Sequence, residues 1–176
     1  SCRRHCTAAR QAAARRTERE NRAPDEAGAV SGIRIEFSEV GRDFVRRDWS
    51  ALVTADPAGT FFHTPAFLKV YWEEFGEDPS SLLLAFGVEG DGAQVGAVAL
   101  ERHGDVLRFL GGTEVTDYLG PVADPAASSA FATALIEALA ERDDWREADL
   151  HGLADDRDWL GLLRDAALAR GLDVTV

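Results

Sequence analysis

The sequence predicts an α/β (α+β) domain: a mixed sheet with helices packed on both faces. Three observations carry that prediction. Residues 81–112 hold three apolar, strand-like runs joined by short glycine-bearing turns, the pattern of antiparallel hairpins. From about residue 118 onward, strand-like and helix-like segments alternate, as they do where strands are joined through helices. Two amphipathic helical stretches precede the hairpins, each with one apolar stripe to bury.

Taken in order, "IRIEFS" (33–38) alternates apolar and polar residues and reads as a half-buried strand. Residues 41–55 set Phe44, Val45, Trp49, Leu52 and Val53 at helical spacing, one amphipathic helix. In "HTPAFLKVYWEEFG" (63–76), Thr64 is a natural N-cap, Pro65 fits the first turn and Gly76 suits the stop. Phe67, Leu68, Tyr71, Trp72 and Phe75 form its apolar stripe, and Glu73 and Glu74 face water. "SLLLAFGV" and "AQVGAVALER" flank the turn "EGDG", and "HGD" leads into "VLRFLGG". A short strand is expected at "YLGPV", then a helix over 125–141 capped by Asp124 and begun by Pro125. Its inward residues are Ala130, Phe131, Ala134, Leu135, Ala138 and Leu139. "EADLHGL" reads as a strand, "DRDWLGLLRDAALARG" as a helix ended by Gly171, and "LDVTV" as a last strand.

Residues 1–32 differ from the rest: Arg/Ala-rich, then Pro/Gly/Ala-rich, without an apolar face. They read as a disordered extension, and 33–176 as the folded domain. The net charge is −12, yet residues 1–22 carry seven arginines against Glu18 and Glu20, leaving −17 on the remainder. A body that acidic repels a phosphate backbone, so nucleic acid is excluded as a partner of the folded surface. No apolar run approaches the roughly 20 residues that span a bilayer. With only two cysteines, both in "SCRRHC", the body has no disulfide framework, and a cytoplasmic location is expected. Cys2, Cys6 and His5 fall short of the usual four zinc ligands, so no metal site is expected. The chain does not begin with methionine: either its start has been removed or it is a piece of a longer protein.

Four phrases, "FFHTPAFLKVYWEEFG", "VGAVALER", "LRFLGGTEVTDYLGPVADP" and "WREADLHGL", give the chain a resemblance to a known family. In their order and spacing they resemble the first half of the BioF-like (CelD-like, FemAB-related) acetyltransferases, over roughly residues 45–176. That resemblance implies the GNAT fold, whose mixed sheet is mostly antiparallel, usually as a tandem pair of domains. It also implies acyl transfer from acetyl-CoA to an amine or hydroxyl, on a small molecule or an envelope or polysaccharide precursor. The expected partner is a second GNAT-like domain of the same chain or a homodimer partner.

At one junction the chain departs from that family. Where an active GNAT half carries a Q/R-x-x-G-x-G/A loop for the diphosphate, this chain reads "GPVADPAASSAF". Backbone amides at a helix start hold such a diphosphate. Here Asp124 puts negative charge in their place, and Coulomb repulsion opposes phosphate capture. No cofactor is therefore expected on this half. Gly111 and Gly112 are not followed directly by a helix and read as a turn or bulge.

Asp117 and Tyr118 are the leading candidates for substrate contact, because an aspartate beside an aromatic can take an amine or hydroxyl and, if desolvated, act as a base. The resemblance implies that this step lies near the acceptor cleft, and Gly112 and Trp72 are further candidates for substrate contact. The alternative is that Asp117 caps a turn while Tyr118 packs inward and Trp72 serves as helix core. His63, before the capped helix, is either a general base or a pad under the helix start; His151, on a strand near the sheet end, is either functional or structural. Two functions follow: an acceptor-shaping half of an acyltransferase, or a non-catalytic binding or scaffold module of the same fold.

Overall fold

A computed structural model describes residues 32–76, 78–112, 114–153 and 158–176, and the backbone of 5–9. The strands are β1 (His5–Ala9), β2 (Arg34–Ser38), β3 (Leu82–Val88), β4 (Gln94–His103), β5 (Val106–Phe109), β6 (Val122–Ala123), β7 (Glu147–His151) and β8 (Asp173–Thr175). The helices are α1 (Asp43–Arg46), α2 (Ser50–Ala55), α3 (Pro65–Phe75), α4 (Ser128–Glu141) and α5 (Trp159–Ala169). The sheet runs β2-β3-β4-β5-β7-β1-β8, with β6 also on β4. Every pair is antiparallel except β5 with β7. The mixed, mostly antiparallel sheet expected from sequence is what forms.

Two apolar layers sandwich it. On one face Phe131, Leu135 and Leu139 of α4 and Trp159 and Leu163 of α5 meet Leu83, Val98, Leu100, Leu107 and Leu150. On the other, Phe44, Trp49, Val53 and Leu68 cover Leu82, Leu84, Phe86, Ala97 and Ala99. Alternation along β3 and β4 produces both layers, since successive side chains leave opposite faces. Helix α4 approaches β3 and β4 closely because Gly87 and Gly96 are cross-strand partners beneath Phe131. A Cβ on Gly96 would sit 2.6 Å from the ring and one on Gly87 2.5 Å.

Several elements differ from the sequence reading, each for a local reason. The single helix expected over 41–55 is two, because Asp48 accepts from the Ser50 amide (2.9 Å) and hydroxyl (2.6 Å) and starts the chain afresh. Phe44, Trp49 and Val53 are buried as expected, but Val45 is 68% exposed. Helix α3 is as read, with the Thr64 hydroxyl accepting from the Phe67 amide. The strand expected at "YLGPV" shrinks to Val122–Ala123, and α4 begins at Ser128, three residues past Pro125. Within the extension expected to be disordered, His5–Ala9 is a strand between β7 and β8, while 1–4 and 10–31 lie outside the described residues. Composition concealed it because backbone pairing needs no apolar face.

One topological feature positions everything that follows. β5 and β6 lie along the same edge of β4 and run the same way. Phe109 pairs with Leu100 and the Leu110 amide reaches the Ala99 carbonyl (3.0 Å). Val122 then pairs with Ala97, and the Asp124 amide reaches the Val95 carbonyl (2.9 Å). They are one strand interrupted by an excursion over 111–121. The excursion leaves through Gly111 (φ 137°) and Gly112 (φ 60°) and returns through Gly120 (φ 143°), backbone conformations that L side chains rarely adopt.

Candidate functional site

The excursion rests on three supports. Leu119 donates its amide to the Gly152 carbonyl (2.8 Å) and packs over Gly111 and Gly152. The Thr116 hydroxyl donates to the Gly112 carbonyl (2.7 Å). Beneath lies His63, 6% exposed, whose Nδ1 accepts from the Thr60 amide (3.1 Å) and whose ring also bonds the backbone of Leu119. Burial pushes this imidazole below its ordinary pKa, with nearby Asp56 opposing the shift. A neutral, buried ring held at both ends is an anchor for the excursion.

Asp56, 3% exposed, is the second buried group and had no sequence signal beyond the Asp-Pro step. Its carboxylate accepts from the Ala58 amide (2.9 Å) and from the Ala123 amide of β6 (3.0 Å). It therefore ties the segment after α2 to the point where the interrupted strand resumes.

The predicted site residues divide. Gly112, Asp117 and Tyr118 share the excursion: Asp117 is exposed and Tyr118 is 46% exposed, so both reach solvent. Gly112 lies against the hydroxyl of Tyr71, which fills the space a side chain there would need. Trp72 is not brought to them. Its indole lies over Gly41, where a Cβ would be 3.5 Å from Cδ1 and Nε1. One residue is about 100° of helix rotation, enough to send Tyr71 to the excursion and Trp72 to α1.

Beside the excursion, on the face that α3 borders, three charged residues form a row across adjacent strands. Glu101 of β4 pairs with Arg108 of β5, and Arg108 pairs with Asp149 of β7. Arg108 Nε stands 3.6 Å from an Asp149 oxygen, beyond hydrogen-bond reach, and is buried without a hydrogen-bond partner. Glu101 Oε1 is 3.1 Å from His103 Nε2, and Asp149 Oδ1 is 3.4 Å from His151 Nδ1. The Tyr71 hydroxyl is pushed above its usual pKa by burial and then by the charge of Glu101, so it stays protonated. Sequence reading weighed His151 and missed Glu101, Arg108 and Asp149. Each is an ordinary charge in an alternating strand until register brings the three together.

At the start of α4 the Asp124 carboxylate accepts from the Ala126 amide (2.8 Å). The Asp124 carbonyl accepts from the Ala127 amide and the Ser128 hydroxyl (both 2.9 Å). Among the described residues no group of three His, Cys, Asp or Glu is placed to hold a metal ion, and no helix is long and apolar enough to cross a membrane. Compared with known proteins, the sequence matches no family model and no curated protein.

Proposed function

We propose that this domain is the acceptor-shaping half of an acyl-CoA-dependent N- or O-acyltransferase, with acyl-CoA held by a second GNAT-like domain. The observation that carries it is the turn between β6 and α4. The Ala126 and Ala127 amides are taken by Asp124, whose carboxylate puts negative charge where a diphosphate would sit. These residues do not fit a coenzyme A diphosphate, so no chemical step of this half runs through one. What the fold offers instead is an interrupted strand, an excursion presenting Asp117 and Tyr118, and a polar floor at Glu101, Arg108 and Asp149.

An acceptor bound there would be an amine or hydroxyl carried by a small molecule or an envelope or polysaccharide precursor. Calorimetry with acetyl-CoA tests the reading. The chain alone should give no saturable heat, and a protein extended beyond Val176 should give it. Stoichiometric binding by the chain alone would overturn the proposal.

A further inference from the structure

We infer that the row Glu101–Arg108–Asp149 is a binding site for a short dipolar molecule bearing both a carboxylate and an ammonium, the α-amino acid class. That this molecule is the acyl acceptor rests on the reading above; that it binds the row does not.

The plainest alternative is a cross-strand ion ladder with no ligand. Comparison with the other arginines argues against it. Arg142 closes on Asp144 at 2.6 and 2.9 Å and on Glu39 at 2.8 Å. Arg102 contacts Asp144 and donates to the Ser80 carbonyl (3.0 Å), and Arg47 contacts Glu36. These three close, with arginine side chains no more than 35% exposed, whereas the more exposed Arg146 and Arg170 stay 3.7 and 3.8 Å from Asp105 and Glu141. Arg108 has two carboxylates as cross-strand neighbours and hydrogen-bonds to neither, while its Nε is shut off from water. The unpaired Nε shows that Asp149 does not saturate the guanidinium, whose outer N–H groups are left for an incoming acceptor.

The three groups divide the work. Asp149, near both His151 and Arg108, steadies the guanidinium from one side. Arg108, its side chain 43% exposed, offers its outer N–H groups to a carboxylate, the anion that the planar fork matches. Glu101, its side chain only 13% exposed, takes the ammonium. A simple anion would meet the repulsion of two acids, and a simple cation would meet Arg108. A molecule with both charges meets neither penalty, and the strand spacing of about 4.8 Å sets the scale of the separation it must span.

The test follows backbone amide NMR shifts of the chain during titration with free α-amino acids of acidic, basic, apolar and aromatic side chains. The best binder is then compared with its amide, which lacks the carboxylate, and its N-acetyl form, which lacks the ammonium. Saturable shifts centred on residues 101, 108 and 149 are expected, weakened roughly tenfold or more by either modification, as for one lost charge-assisted contact. R108Q should erase the preference for the acid over its amide, and E101Q the preference for the free amine over its N-acetyl form. Preserved shift dispersion in both variants confirms folding. If no amino acid gives a saturable shift, or if R108Q binds acid and amide as the parent does, the inference fails. Neither outcome bears on acyl-CoA, which is absent from the titration, so this failure stays separable from failure of the acyltransferase reading.

Discussion

Two buried side chains, His63 and Asp56, decide whether the excursion holds its place. Above about pH 6.5 His63 is neutral in both folded and unfolded chains. Below that, the unfolded chain takes a proton that burial makes costly in the folded one, so stability falls with falling pH until the folded ring also titrates. Urea midpoints measured from about pH 7 to pH 5 should therefore decline, and His63→Gln should flatten that slope while lowering stability at pH 7 by about 1–2 kcal/mol. Asp56→Asn turns one accepting oxygen into a donor facing a backbone N–H. The expected loss is about 1–3 kcal/mol, read as a shift of midpoint without change of slope. These roles were only half legible. The phrase "FFHTP" marked His63 as a helix-start residue, but nothing local says that Leu119 lies above it or that Asp56 reaches β6. Both partners are far off in sequence, and register alone brings them close.

At the scale of elements, α4 sits on a glycine pair. Gly96→Ala would drive a methyl into the Phe131 ring, which is wholly buried and has nowhere to move. A loss of about 1–3 kcal/mol is expected from overpacking, and Phe131→Ala should cost about 3–5 kcal/mol through the cavity it leaves. If Gly96→Ala unfolds at the parent's denaturant midpoint, the close seating of α4 is wrong. Alternation, caps and turn glycines made most elements readable, α3 above all, where Thr64, Pro65 and Gly76 mark both ends. The division of α1 from α2 was hidden because the apolar spacing continues through Asp48, and a helical stripe conceals a local capping turn. β6 was overdrawn because its apolar neighbours Leu119 and Pro121 are buried by the excursion's own packing instead of by strand pairing.

For the whole molecule, the two faces carry unequal cover. α4 and α5 span the sheet from β3 to β7 on one side, whereas α1 to α3 cover β3, β4 and β6 on the other and leave the β5–β7 portion to charged residues. Amide hydrogen exchange should show this as slow exchange in β3 and β4 and fast exchange across 114–119 and α1. Protection of the excursion equal to that of β3 would contradict the picture. The class of sheet was legible from hairpins followed by strand–helix alternation. The charged row was not, because its residues come from three strands and one of the pairings, β5 with β7, is parallel and spans the whole of α4.

The broken strand has a further consequence for how such a domain can diversify. Because β6 resumes on the rail that β5 left, a segment of different length or composition between Gly112 and Gly120 can be spliced in without shifting any other hydrogen-bond partner of β4. The exposed Asp117 and Tyr118 and the architecture of the sheet are thereby encoded in separable stretches of chain, and descendants of this scaffold could exchange the former while inheriting the latter intact.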